Sequence, residues 1–268
     1  VKETSGVPFA SKAIGEYNGQ PVPVMHACGH DTHVAMLMGA AELLANNKEA
    51  FTGKVVFLFQ PAEEGAPKGE GGGAEMMIAE GALSKHGVDA VFGIHINSVD
   101  ELGHIGYRSK GIMASVDDFK ITIEGKQVHG AYPWKGIDPI VTAAQLINQI
   151  QTIVSREAML IEAGAVVTIG AINGGIRSNI IPKKVEMLGT IRALDKQMRE
   201  KIHAGMHRRV RGMAEATQTT IKLELPYSAS YPVTYNDEKL TKAVIPILER
   251  AAGKENVFVR RAVTGAED

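Results

Sequence analysis

Met25-His26-Ala27-Cys28-Gly29-His30-Asp31-Thr32-His33 decides how this chain is read. Its nine residues hold the chain's only cysteine, three histidines and an aspartate. An apolar run, Val34 to Ala45, follows directly and predicts a helix, with Asp31 or Thr32 offering an oxygen to the free N–H groups of its first turn. Apolar residues on nearly every face predict that this helix lies buried on a sheet. Cys28 and His30, two apart in an extended lead-in, point the same way. A thiolate beside an imidazole suits zinc or another borderline-soft divalent ion. Taken singly, a cysteine is more often a small buried hydrophobe and a histidine a satisfied polar residue, so further donors must come from elsewhere.

Working outward, Lys54-Val55-Val56-Phe57-Leu58-Phe59-Gln60 reads as a central strand covered on both faces. Pro61 ends it and puts Glu63 and Glu64 on the following loop, at the edge where open α/β sheets bind ligands. Paired carboxylates near a metal divide the labour, one ligating and one moving a proton; standing alone they would be a solvated turn. Ala90-Val91-Phe92-Gly93-Ile94 is a second such strand, delivering His95 to the same edge. Between them, Ala66 to Gly73 is Gly-rich without a Gly-Lys-Ser/Thr ending, so it reads as a flexible insertion and not a phosphate cradle. Residues 1–24, with Pro8, Pro21 and Pro23, form an irregular lead-in.

From about Met113 the pattern changes. Phe119, Ile121 and Ile123 alternate with polar residues, as do Val166 to Ile172 and Val185 to Ile191, and Ile221, Leu223 and Leu225 close the set. Asp138-Pro139 starts a helix with Ile140, Val141, Ala144, Ile147, Ile150 and Val154 on one face. Asp195 starts another, with Met198, Ile202, Met206, Val210 and Met213 inward and Arg199, Arg208, Arg209 and Arg211 on a solvated face. The order β-α-β-β-α-β is that of a ferredoxin-like module. Asn236 or Asp237 opens a last helix, kinked at Pro246. The fold class is therefore α/β: a metal-binding catalytic domain with a mostly parallel central sheet (1–112 and 227–268) and an inserted ferredoxin-like α+β lid domain (113–226).

The 268 residues are 44% hydrophobic, with 29 Lys+Arg against 30 Asp+Glu and a net charge of −1. That leaves no electrostatic argument for nucleic acid, and no apolar stretch reaches the length of a membrane span. One cysteine excludes an intrachain disulfide. Cytoplasm and periplasm both stay open, because Val1 need not be the natural start.

Met25-His26-Ala27-Cys28-Gly29-His30-Asp31, Gln60-Pro61-Ala62-Glu63-Glu64-Gly65 and Gly93-Ile94-His95, in that order, resemble the aminoacylase-like metallopeptidases among the amidohydrolases. Val128-His129-Gly130-Ala131, Arg177-Ser178-Asn179-Ile180-Ile181-Pro182, Gly189-Thr190-Ile191-Arg192 and Gly265-Ala266-Glu267-Asp268 agree with it. The resemblance implies metal-dependent hydrolysis of N-acyl amino acids or small peptide-like conjugates by metal-activated water. It implies one or two divalent ions, Zn2+ or Mn2+, on Cys28, His30, Glu64 and His95, with Glu63 as general base. It further implies His129 as oxyanion donor from the lid, Asn179 and Arg192 as substrate-binding residues, and a homodimer formed through the lid. Asp31 and His33 are candidates to hold metal-bound imidazoles through their other nitrogen. Relatives continue past Asp268 to a further metal-binding histidine and begin upstream of Val1. This stretch is thus expected to be a piece of a longer chain, inactive or poorly folded alone. Two other readings stay open: a Cys–His hydrolase with Cys28 as nucleophile, and a non-catalytic binding or dimerisation relative.

Overall fold

A computed structural model describes residues 2–17, 19–65, 71–228 and 230–268. Residues 66–70 of the expected Gly-rich insertion lie outside them. The chain divides into two compact units, 1–102 with Asp268, and 103–267.

In the first unit, β1 (Ile14–Tyr17) and β2 (Gln20–Pro23) form an antiparallel hairpin where an irregular lead-in was expected. A two-stranded ribbon tolerates Pro21 and Pro23, because an outward-facing position needs no ladder N–H. Helix α1 (His30–Asn46) follows, then α2 (Gly73–Ala79). The parallel central sheet expected from 54–60 and 90–94 is not formed among the described residues. An apolar run is a strand only if another edge takes up its N–H and C=O groups, and Val55, Phe59, Val91, Phe92 and Ile94 remain exposed. For the same reason α1 is not buried: without a sheet to cover it, Met38 is 61% and Leu43 68% exposed. Its cap also differs from expectation. Gly29, not Asp31 or Thr32, is the N-cap residue, and the Thr32 hydroxyl donates to Gly29 O at 2.6 Å.

The second unit carries the core. It begins with β3 (Ile105–Tyr107) and β4 (Lys110–Met113). The strands β5 (Ser115–Glu124), β7 (Ala165–Gly174), β9 (Lys184–Ala193) and β10 (Thr220–Glu224) make an antiparallel sheet ordered β10-β5-β9-β7. With α3 (Pro139–Thr152) and α4 (Lys196–Thr217) between them, the elements run β-α-β-β-α-β. Alternation decides the inner face: Phe119, Ile121 and Ile123 of β5 are fully buried against Leu146, Ile150, Met187, Ile191, Ile202 and Met206. Asp138 accepts from Ile140 N and Val141 N, and Asp195 from Met198 N, so both helices start where their caps predict. The buried stripe of α3, however, runs through Thr142, Ala143, Leu146 and Ile150, leaving Ile140 44% and Val141 53% exposed. Two adjoining stripes of α3 are apolar, and periodicity alone cannot choose between them.

The arginine face of α4 is not simply solvated. Arg199 donates two hydrogen bonds of 2.7 Å to the wholly buried Asp117 of β5, and His203 Nε2 lies 3.0 Å from the same carboxylate. Burial alone would raise the Asp117 pKa, but its bonds to Arg199 and His203 prevail and hold it at about 2. Arg209 donates to Gln149 O, Thr152 Oγ1 and Glu157, closing the wide turn Ile153–Glu157 at the end of α3.

Short pairs complete the unit. β6 (Val128–His129) pairs with β8 (Ile180–Ile181), β11 (Ser230–Tyr231) extends the sheet along β5, and β12 (Thr234–Asn236) pairs with β4. Helix α5 (Glu238–Ala252) is capped by Asp237 and contains Pro246. β13 (Val257–Val259) runs parallel to β3. No helix among the described residues is long and apolar enough to cross a membrane.

Candidate metal centre

Gly29 builds the first part of the site. Its φ of +83° is left-handed, which suits a residue without Cβ, and it turns the chain from Cys28 into α1. A Cβ there would stand 2.5 Å from Ile96 Cγ2, so glycine also lets the His95–Ile96 segment approach. His33, one turn into α1, accepts a 3.0 Å hydrogen bond from Ile96 N through Nε2. His95 is oriented in turn: its Nδ1 lies 2.6 Å from Ile96 O, and since a carbonyl only accepts, Nδ1 carries the proton. Nε2 is left with its lone pair, 3.5 Å from Cys28 Sγ.

That separation can be tested against coordination chemistry. Zn–S and Zn–N bonds of about 2.3 and 2.1 Å at a tetrahedral angle put sulfur and nitrogen about 3.6 Å apart. Cys28, His30 and His95 offer ligand atoms all within 4.8 Å of one another. His30, Glu63 and Glu64 form a second such group, with His30 Nε2 3.5 Å from Glu63 Oε2. The shared imidazole makes the five side chains one continuous donor set of soft and hard atoms, which fits one or two divalent cations.

The loop bearing the glutamates is held from both sides. Gly73 N donates to Pro61 O at 2.8 Å, and Ala62 takes a left-handed φ of +53°. Asp268 accepts from Gln60 Nε2 at 2.6 Å and from Ala74 N at 2.9 Å, tying the start of the loop to the start of α2. The carboxylate that fixes the loop thus lies 208 residues from Gln60 in sequence, a pairing that local pattern does not reveal.

Asp31 and His33 do not occupy equivalent places. His33 lies among the donors, its ring centroid 4.6 Å from that of His95 and 5.5 Å from that of His30, and it braces backbone. Asp31 faces His26, at 4.0 Å, in an exposed position.

His129 and Asn179 are brought together in the second unit. β6 and β8 pair His129 with Ile180, and Gly130 N donates to Asn179 O at 2.8 Å. Ala131 N donates to His129 Nδ1 at 3.1 Å, which places the proton of the neutral ring on Nε2 and makes that nitrogen a donor. Arg192 lies elsewhere, on β9 between Val116 and Val166. Tyr132 stands beside His129 and Trp134 beside Tyr132, two aromatic side chains that residue-type reasoning passes over. Their signal in the sequence is a pair of large rings flanking Pro133 in a loop.

Comparison with known proteins adds to this geometry. Over 268 residues the chain is 42% identical to thermostable carboxypeptidase 2 of Saccharolobus solfataricus and 40% identical to N-acetyl-L-cysteine deacetylase of Bacillus subtilis. All of this chain matches in both cases, but it spans only 64% and 60% of those relatives' lengths. Among solved structures, a dinuclear metal-binding peptidase of the M20 family from Bacillus subtilis superposes with a TM-score of 0.76 at 33% identity, over 99% of this chain and 63% of that one. The sequence model of peptidase family M20/M25/M40 matches residues 1–268, and the chain belongs to that family.

Proposed function

We propose that this chain is the greater part of a metal-dependent amidohydrolase that cleaves the amide of N-acyl amino acids or small peptide-like conjugates. The observation that carries the reading is the continuous donor set of Cys28, His30, His95, Glu63 and Glu64, with the His95 ring oriented by its bond to Ile96 O. Kinship to a deacetylase and a carboxypeptidase supports the reaction class, since both names describe hydrolysis of an amide next to an amino acid.

In this reading Cys28, His30, Glu64 and His95 hold one or two ions, zinc or manganese. Such an ion polarises the scissile carbonyl and lowers the pKa of water. Glu63 takes the proton of the attacking water and passes it to the leaving amine, which departs neutral. His129 donates from Nε2 to the developing oxyanion, a contribution worth about 3 kcal/mol. Asn179 helps hold the substrate and Arg192 its carboxylate. Residues 1–112 and 227–268 belong to the catalytic domain and 113–226 to an inserted lid, through which two copies pair; closure of the lid is then a step of catalysis.

The test is metal content and N-acyl amino acid hydrolysis by the natural full-length protein, with Glu63→Ala alongside. We expect bound metal in both proteins and turnover lowered at least 100-fold in the variant. Near-normal turnover by Glu63→Ala removes Glu63 from its role, and a wild type that cannot be loaded with metal removes the whole reading.

A further inference from the structure

The segment that carries the two glutamates is bent at Ala62, immediately before Glu63. Ala62 holds a left-handed φ of +53°. A residue with a Cβ takes that conformation at a cost, and keeps it only where its surroundings over-determine it. Gly65 N donates to Ala62 O at 3.1 Å, and Gly73 N donates to Pro61 O at 2.8 Å. Asp268 adds two bonds from outside the bend, Oδ1 accepting from Gln60 Nε2 at 2.6 Å and Oδ2 from Ala74 N at 2.9 Å. Bonds to an ionised acceptor are roughly twice as strong as neutral ones. Room for this carboxylate is built in: Gly73 is buried, with a φ of +76°, and a Cβ there would overlap Asp268 Oδ2. An Asp268 oxygen also stands within 4.8 Å of one of Glu63.

We infer that Asp268 is a positioning residue, whose carboxylate holds Ala62 in its left-handed conformation and so aims Glu63 and Glu64. The inference rests on the amidohydrolase reading, in which Glu63 is the general base and Glu64 a metal ligand. An anchor at Pro61 O alone would let the chain pivot about that point. The second anchor, at Gln60, fixes the direction in which the chain enters the bend, and the bond from Ala74 N ties that anchor to the start of α2. Without Asp268, Ala62 can relax to an ordinary negative φ, and the two side chains that follow it swing with the backbone. Asp268 thus acts on the reaction through the backbone, and not as ligand or base.

The test is made in the natural full-length protein at saturating metal, by N-acyl amino acid hydrolysis and by amide hydrogen exchange. Asp268→Ala should lower kcat at least about tenfold with KM held within about threefold, because a general base acts in the transition state. Amides of 60–65 and 71–76 should exchange faster by on the order of tenfold, with those of β5 and β9 unchanged. Asp268→Asn, which keeps one acceptor oxygen, should recover part of kcat. So should Ala62→Gly added to Asp268→Ala, because glycine takes a positive φ without strain; a merely structural Asp268 predicts no such rescue. Should Asp268→Ala fail to fold, Asp268→Asn carries the test, with an intermediate loss of kcat that Ala62→Gly restores. Unchanged exchange at 60–65 overturns the brace. Faster exchange there with kcat unchanged overturns the positioning role and leaves the amidohydrolase reading intact. Faster exchange in a protein whose wild type hydrolyses no N-acyl amino acid keeps the brace and removes that reading. No rescue by Ala62→Gly, with Asp268→Asn as inactive as Asp268→Ala, overturns action through Ala62.

Discussion

Cys28 Sγ and His95 Nε2 stand 3.5 Å apart although 67 residues separate them in the chain, and each is aimed by its neighbours and not by its own rotamer alone. Gly29 turns the backbone behind Cys28, and the Ile96 carbonyl fixes His95. The sulfur and nitrogen thus meet at a tetrahedral edge length before any ion is considered. Replacing Cys28 by Ala should abolish high-affinity metal binding, and the thiolate charge-transfer band of a cobalt-loaded protein should vanish with it. A cobalt spectrum unchanged by the substitution would show that Cys28 is not a ligand.

Gly29→Ala should be far more harmful than one methyl group implies. The left-handed φ costs about 1 kcal/mol for a residue with a Cβ, and that Cβ would meet Ile96 Cγ2 at 2.5 Å. Pushing Ile96 away moves His95 with it. We expect metal affinity to fall at least tenfold, as measured by competition with a chromophoric chelator; equal affinity would mean that the segment 95–96 yields without cost.

His33 is a positioning residue in the same sense. His33→Ala removes the acceptor for Ile96 N–H and should weaken metal binding by about 10–100-fold, the usual penalty for losing a group that orients a ligand. His33→Gln, which retains an acceptor, should recover part of that loss. Direct ligation by His33 would instead make the two substitutions equally severe.

The site was legible in the sequence by residue type, less so by arrangement. A cysteine, histidines and paired glutamates suggest a metal where they cluster, and Cys28, His30, Glu64 and His95, with Glu63, do lie in two overlapping groups. What could not be read were pairings between distant segments: Asp268 with Gln60, or Asp117 with Arg199, 82 residues apart. The arginines of α4 look like a wet face because helical periodicity says where a side chain points, not what waits there. Strands β5, β7, β9 and β10 were readable because each has one wet face and one dry face. The runs 54–60 and 90–94 lack that alternation, and whether such a run joins a sheet depends on a partner it does not encode.

Asp117 makes the fold sensitive to acid. Its pKa, ordinarily 3.8, is depressed to about 2 in the folded chain, so its contribution is complete above pH 4 and is lost as the pH falls toward 2. The linkage amounts to about 2 kcal/mol. Urea unfolding of the second unit at pH 5 and at pH 2.5 should register most of this difference, and Asp117→Asn should flatten that part of the profile. Asp117→Ala, leaving Arg199 half-buried without its carboxylate, should cost about 3–5 kcal/mol at neutral pH.

Helix α3 offers a plain check on which stripe is inward. Leu146→Ala, at a wholly buried position, should lower stability by about 2–5 kcal/mol, whereas Ile140→Ala, at a position 44% exposed, should cost less than about 1 kcal/mol. Denaturant midpoints for the two variants settle the matter, and equal losses would rotate the helix back to the face its sequence first proposed.

The buried apolar residues lie between Ala114 and Val210, while in the described part of the first unit only Gly73 and Gly81 are fully buried. Cohesion is therefore of two kinds. In this stretch the second unit is held by excluded water and should be indifferent to chelators, whereas the proposed donors gather in the first, whose order would then depend on the ion they bind, so that ligation and folding would become one equilibrium. A calorimetric trace should then split into a melting event that moves with free metal concentration and one that does not. Without the proposed ion, the first unit of this stretch would melt first and leave the second as a folded remnant.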